Sequence, residues 1–208
     1  LYKVQLDKDL IVEGEVSGKL RFEARGRSDF PAVGDWVLCS LHSNNSAAVI
    51  HKTLDRTSCL IRKSAGSEWN EQIIAANIDN VFVVTSMNSD FNLRRLERYL
   101  TLIWDSGARP VILLSKSDLS DDHGSYLRSA ESVAGGTDII VLSSRSDTGY
   151  ECIEKYFSNN QTCALVGSSG VGKSTIVNHL LCREELRVQD IRADDERGRH
   201  TTTSRHLF

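Results

Sequence analysis

The chain has 208 residues and a mass of 23.2 kDa, enough for one large domain or two small ones at about 100 to 200 residues each. Its 40% hydrophobic and 25% charged residues, its two prolines and the lack of a low-complexity run exclude disordered and fibrous classes. With 28 acidic against 25 basic residues the net charge is −3, which argues against coating nucleic acid through bulk charge and leaves local basic patches open.

Residues 1–64 carry a short, two-residue period. Leu20, Phe22 and Ala24 alternate with Arg21, Glu23 and Arg25, a strand pattern; the Gly34-Asp35 turn leads into Trp36-Val37-Leu38-Cys39-Ser40-Leu41, and the Asn44-Asn45 turn into the apolar run 47–50. Short strands separated by turn signals predict a small all-β barrel or sandwich. Trp36 is expected to fill its core, and Lys19, Arg21, Arg25 and Arg27 are the candidate surface for RNA.

The period changes after residues 68–72. Val81-Phe82-Val83-Val84 reads as a strand covered on both faces, and Leu93, Leu96, Leu100 and Ile103 follow at helical spacing, with Arg94, Arg95 and Arg98 on the expected solvated face. The alternation recurs: a strand at 111–114, a helix near 126–133, a strand at 139–142, a helix near 150–157, a strand at 163–166 and a helix over 173–182. Repeated strand-helix units predict a parallel sheet covered by helices on both faces. The boundary is expected between residues 65 and 75, giving domains 1–68 and 69–208. The apolar runs are far shorter than the roughly 18 residues of a membrane span, and Leu1 opens no secretory signal, so no membrane association is expected. Cys39, Cys59, Cys152, Cys163 and Cys182 show neither a C-x-x-C pair nor a Cys/His grouping fit for zinc, and are read as reduced, mostly buried thiols.

Gly167-Ser168-Ser169-Gly170-Val171-Gly172-Lys173-Ser174-Thr175 matches G-x-x-x-x-G-K-[ST]. It leaves an apolar strand and enters a helix whose Ile176, Val177, Leu180 and Leu181 form one stripe, the context a phosphate loop requires and a Gly-rich helix cap does not. Such glycines let backbone N–H groups surround phosphates, Lys173 supplies positive charge to the β and γ phosphates, and Ser174 offers its hydroxyl to Mg²⁺. The helix N-terminus adds partial positive charge.

Leu114-Ser115-Lys116-Ser117-Asp118-Leu119 stands at the end of the second strand of this sheet. A carboxylate there can accept two hydrogen bonds from N1 and N2 of guanine, which adenine cannot donate, so Asp118 is a candidate base reader and Lys116 can run its methylenes along the base. A solvated strand-to-helix turn uses the same residue types. Ser143-Ser144, at the end of the next strand, could give a backbone N–H to guanine O6.

These residues resemble the RsgA (YjeQ) family of circularly permuted GTPases, which act in maturation of the small ribosomal subunit. GTPases ordinarily place the phosphate loop ahead of the base-reading N/T-K-x-D, whereas Lys116 precedes Lys173 by 57 residues. Gly198-Arg199-His200-Thr201-Thr202-Thr203 resembles the family's G-R-H-T-T-T switch, residues 72–79 resemble a strand of its GTPase domain, and Val33-Gly34-Asp35-Trp36-Val37 lies in what the family builds as an OB-fold. The resemblance implies an α/β protein: an N-terminal OB-fold barrel over 1–68, then a circularly permuted P-loop GTPase domain with a mostly parallel sheet over 69–208. It implies GTP and GDP as ligands, held by Ser115, Lys116, Ser117, Asp118, Ser143, Ser144 and the nine loop residues Gly167 to Thr175. Mg²⁺ would rest on Ser174 and Thr202. Lys173, His200, Thr201, Thr202 and Thr203 would serve hydrolysis, His200 by orienting or deprotonating water. The small ribosomal subunit and its rRNA are the implied partners, in the cytoplasm and as a monomer.

Three departures bear on what is carried over. Ser115 stands where the family usually has Asn or Thr, a shorter side chain against the phosphate loop and base. The chain stops at Phe208, ahead of the family's D-x-P-G segment and zinc-bearing helical domain, so weak hydrolysis and zinc only outside these residues are expected. Asp195-Glu196-Arg197-Gly198 and Asp121-Asp122-His123-Gly124 fit a loose D-x-x-G but in the wrong places. Two other readings remain open: a P-loop ATPase or small-molecule kinase in which Asp118 is incidental, and an RNA-binding module with a vestigial nucleotide site.

Overall fold

The computed structural model describes residues 1–8, 10–42, 46–63 and 71–182. They form two compact units that divide between Asn77 and Ile78.

In the first unit, β1 (Tyr2–Asp7), β2 (Leu10–Val16), β3 (Val37–Leu41) and β4 (Ala47–Thr53) form a sheet of order β1-β2-β4-β3. β1 pairs antiparallel with β2, β3 antiparallel with β4, and β2 parallel with β4 from Glu13 opposite Ala47 to Val16 opposite Ile50. A parallel pair needs a crossover, and this one passes through α1 (Gly18–Glu23). Alternation in β2 turns Val12 and Val16 inward to meet Val4, Ala48 and Ile50, with Leu20, Phe30 and Val37 packed against them. The same unit holds β5 (Cys59–Lys63) paired antiparallel with β6 (Glu71–Ala76), so the segment expected to open the second domain pairs within the first unit.

The strand expected at Leu20, Phe22 and Ala24 is instead α1. Ser17 caps it, its hydroxyl accepting from Leu20 N–H at 3.1 Å. The cap satisfies an otherwise orphaned donor, and helical geometry turns Leu20 toward the sheet and leaves Phe22 91% exposed. Trp36 also departs from expectation, being 72% exposed instead of buried in the core. Its neighbour Asp35 is the anchor: the carboxylate, 1% exposed, accepts Arg56 Nε at 2.8 Å and Nη2 at 2.7 Å, and Ala32 N–H at 2.7 Å. Arg56 also donates to the carbonyls of Ser28 and Phe30. Two parallel bonds plus carbonyl acceptors satisfy the guanidinium as a half-buried charge requires.

The second unit alternates strand and helix as expected: β7 (Asn80–Ser86), α2 (Leu93–Ser106), β8 (Arg109–Ser115), α3 (His123–Ala134), β9 (Ile139–Val141), α4 (Glu151–Glu154) continued by a 3₁₀ turn, β10 (Cys163–Val166) and α5 (Lys173–Leu180). The four strands pair in parallel, in the order β10-β7-β8-β9. Every residue of β7 is buried, the reason its sequence shows no alternation. Asn92 caps α2 by accepting from Arg95 N–H at 2.9 Å, and Gly107 ends it with φ 85°. Phe82, Val84, Val111, Leu113, Tyr156 and Ile176 belong to one core that takes in Val171 of the phosphate loop. No helix among the described residues is long and apolar enough to cross a membrane.

No disulfide joins the five cysteines, and they are not mostly buried as expected: Cys152 and Cys182 are exposed and the other three half-buried. Burial pushes the Cys163 thiol up to about 11.

Candidate functional site

Parallel order brings the carboxyl ends of β10, β7 and β8 to one edge of the sheet, so chain segments far apart in sequence meet there. β10 feeds the phosphate loop directly. At Gly167 φ is 149°, and a Cβ would stand 2.3 Å from the Val84 carbonyl oxygen, so only glycine lets the loop leave against β7. Gly172, with φ 97°, is the left-handed residue that starts α5. Between them Val171 is 1% exposed and anchors the loop in the core, which leaves its backbone, not its side chain, for a ligand.

Lys173 lies folded into the loop. Its Nζ donates to the carbonyls of Gly167 at 3.0 Å and Ser168 at 2.5 Å. Burial lowers its pKa and the Asp90 carboxylate opposes that shift. Ser174 is half-buried in the first turn of α5, and its hydroxyl makes no hydrogen bond to the described residues. A free hydroxyl beside a phosphate loop suits the one protein oxygen that Mg²⁺ takes from such a loop. No cluster of His, Cys, Asp and Glu among the described residues could hold a metal by itself. Ser169, Gly170 and Thr175 complete the loop and the helix start at half-buried or exposed positions.

The segment expected to read the base is joined to this loop. Ser115, the last residue of β8, is 4% exposed and its hydroxyl donates to the Val171 carbonyl at 2.7 Å, with Thr85 O at 3.3 Å. The short side chain therefore still steadies the phosphate loop. Lys116 follows in the left-handed region at φ 57°, a conformation that side chains other than Gly, Asn and Asp rarely adopt and that clusters at functional sites. Burial lowers its pKa, with Asp118 and Asp90 opposing. Ser117 is buried and fixed on both sides, its N–H donating to Leu142 O at 3.1 Å and its carbonyl meeting His123 Nε2 at 2.8 Å.

Asp118 is exposed, and one of its oxygens, Oδ1, accepts from Ser143 Oγ at 2.7 Å. The Ser143 hydroxyl accepts the N–H groups of Arg145 and Ser146 at 3.3 Å, and its own N–H goes to Thr148 O at 3.2 Å. The N–H of Ser144 has no partner among the described residues, so of these four it is the one open to a ligand acceptor. The Ser144 side chain pairs with Tyr150 OH at 2.6 Å, and Tyr150 stacks on His179 of α5 with ring centroids 3.6 Å apart. Asp122 of the loose D-x-x-G caps α3, its carboxylate accepting from Ser125 N–H at 3.1 Å, a structural role.

His200, Thr201, Thr202 and Thr203, like Asp195 to Gly198, lie outside the described residues. Two residues that sequence reasoning passes over belong at the site. Asp90, between β7 and α2, accepts Ser168 Oγ at 2.5 Å, and Arg95 pairs with the same carboxylate at 2.8 Å instead of lying free on the helix face. No sequence signal marks a contact spanning 78 residues.

A loop of the phosphate-loop pattern that follows the Ser115 to Asp118 segment along the chain, yet lies at the same edge of one parallel sheet, defines a phosphate-loop α/β protein of permuted order. The sequence profile of the RsgA GTPase family matches residues 53–208. The chain is 48% identical over 194 residues to small ribosomal subunit biogenesis GTPase RsgA 2 of Lactiplantibacillus plantarum, covering 93% of this chain and 54% of that protein. It is 45% identical over 193 residues to RsgA 1 of Oceanobacillus iheyensis, covering 93% and 55%. The solved structure of YloQ, described as a circularly permuted GTPase, matches with a TM-score of 0.59 and 27% identity over 82% of this chain and 55% of that one. The chain belongs to the RsgA GTPase family, and spans about half the length of the curated relatives it matches.

Proposed function

We propose that this chain binds GTP and GDP and hydrolyses GTP as an assembly factor for the small ribosomal subunit. The observation that carries the reading is the join between the two halves of the site: Ser115 ties the Lys116 to Asp118 segment to the phosphate loop at Val171. With Oδ1 occupied by Ser143, Asp118 keeps Oδ2 and its outer lone pairs for guanine N1 and N2, and Ser144 N–H suits guanine O6. Lys116 covers the base. The loop N–H groups from Ser169 to Thr175 and the Lys173 ammonium receive the phosphates, and Ser174 would hold Mg²⁺, which supplies charge neutralisation between the β and γ phosphates.

In this proposal Gly198 to Thr203 form the switch, Thr202 as a second Mg²⁺ ligand and His200 orienting the attacking water. Residues 1–68 form an OB-type barrel; its support is the parallel β2-β4 pair joined through α1, flanked by antiparallel partners. Lys19, Arg21, Arg25 and Arg27, all exposed, together with the exposed ring of Phe22, suit rRNA through phosphate contacts and stacking. The protein would act in the cytoplasm.

Competition of GTP and ATP against fluorescent GDP tests the core of the reading. GTP displaces the probe and ATP at a hundredfold excess does not; equal displacement would return the site to an ATPase or kinase.

A further inference from the structure

The guanine-nucleotide reading leaves Asp90 without a task, and a carboxylate beside a phosphate site is a liability, since like charges repel. Its surroundings give it one. Asp90 Oδ2 accepts the hydroxyl of Ser168, the second residue of the phosphate loop, at 2.5 Å. Arg95 Nη2 donates to that same oxygen at 2.8 Å and also to the Asp90 carbonyl oxygen. Asp90 N–H donates to Asn88 Oδ1 at 3.0 Å, an oxygen that also takes Ser86 Oγ at 2.8 Å from the end of β7. Arg95 is itself fixed in the first turn of α2, where its N–H donates to Asn92. The carboxylate is thus held from a strand end and a helix start before it meets the loop.

The pair is a quarter to a third exposed, so as an ion pair it contributes little to stability. What the geometry adds is location. Ser115 holds the loop at its fifth residue from β8, and Asp90 holds it at its second from β7. Asp90 also opposes the effect of burial on both Lys116 and Lys173, favouring their charged forms.

We propose, on the basis of the guanine-nucleotide reading, that Asp90 is a positioning residue for the phosphate loop: clamped by Arg95, it fixes Ser168 and so presets residues 167–170 for the phosphates. It acts through Ser168 and touches no ligand.

The test is a double-mutant cycle on the 208-residue chain, with mant-GDP fluorescence as the binding readout and thermal unfolding of each variant without nucleotide. Asp90→Ala and Ser168→Ala each weaken binding about tenfold, as loss of a charge-assisted hydrogen bond implies. The double variant is within about threefold of the weaker single one, because both changes remove the same link. Asp90→Asn keeps an acceptor for Ser168 and stays within about threefold of the parent. Losses that multiply to about a hundredfold, an Asp90→Asn variant as weak as Asp90→Ala, or no loss in any variant overturns the proposal. Should Asp90→Ala unfold below the assay temperature, Ser168→Ala and Asp90→Asn decide by the same criteria. Failure of the parent chain to bind mant-GDP would remove the guanine reading and this inference with it; a parent that binds, with variants that bind as well, overturns this inference alone.

Discussion

Replacing Ser115 by Ala removes one oxygen at the point where the two halves of the proposed nucleotide site are joined. Ser115 is 4% exposed, and its hydroxyl is the donor to the Val171 carbonyl at 2.7 Å. Ala fills nearly the same volume, so no cavity forms, and the cost is that of a buried carbonyl left without a donor, about 1–3 kcal/mol. Because the bond lies within the second unit, this cost falls on the folded unit itself: at about 4 °C per kcal/mol, the unfolding temperature drops by about 4–12 °C. Freed at Val171, the loop must be ordered by the ligand, and GDP affinity falls about tenfold by calorimetry, equivalent to about 1.4 kcal/mol. Ser115→Thr keeps the hydroxyl and adds a methyl group against Val171 and Thr85, so it loses less than Ser115→Ala in binding. An Ala variant with unfolding within about 0.5 kcal/mol of the parent and unaltered GDP affinity would refute the claim that this hydroxyl joins the halves.

Asp118→Asn shifts preference from guanine toward xanthine nucleotides, since Asn still accepts from Ser143 and adds a donor for the xanthine C2 oxygen; unchanged guanine preference in competition assays would remove Asp118 from the base site. Lys173→Ala and Ser174→Ala weaken GTP binding in Mg²⁺ more than any other single change in the loop, and chelation of Mg²⁺ erases the Ser174 effect but not the Lys173 effect, both read by calorimetry. The Cys163 thiol, pushed up to about 11, is deprotonated more easily in the unfolded chain, so the second unit loses stability as pH rises from about 9 to about 11. Cys163→Ala removes that part of the alkaline slope in urea unfolding. At pH 8 a maleimide labels the exposed Cys152 and Cys182 in the native protein well ahead of Cys163, as mass spectrometry of the labelled peptides reports.

The second unit was legible because its determinants are local. A run such as Val81-Phe82-Val83-Val84 has no polar face, and Leu96, Leu100 and Ile103 mark one helix stripe, so strand and helix follow from spacing alone. The phosphate loop carries its own glycines and its own lysine. What escaped depends on partners distant in sequence or on competing local signals. Leu20, Phe22 and Ala24 satisfy a strand period, and the Ser17 cap that decides for a helix is one hydrogen bond. Trp36 reads as core by size, yet the buried anchor of its turn is Asp35, held by Arg56 twenty-one residues on. Arg95 reads as a solvated helix face, and Asp90 carries no signal, until Ser168 is brought alongside.

The strand order has a consequence for synthesis. In the order β10-β7-β8-β9, the last strand in sequence among the described residues adds to an edge of three earlier strands. Chains are made N-terminal end first at about 5–20 residues per second, so β7, β8 and β9 leave the ribosome ahead of Gly167 and can pair, and Asp118 can meet Ser143, before the loop emerges. The edge that carries Ser115 to Asp118 therefore exists for about a second or more without the glycine-rich loop, with the Ser115 hydroxyl at a strand end awaiting Val171. β10 then docks on a finished template through β7 instead of nucleating the sheet. A nascent chain arrested with β9 emerged and β10 still enclosed would hold Asp118 against Ser143 with no glycine-rich loop beside them.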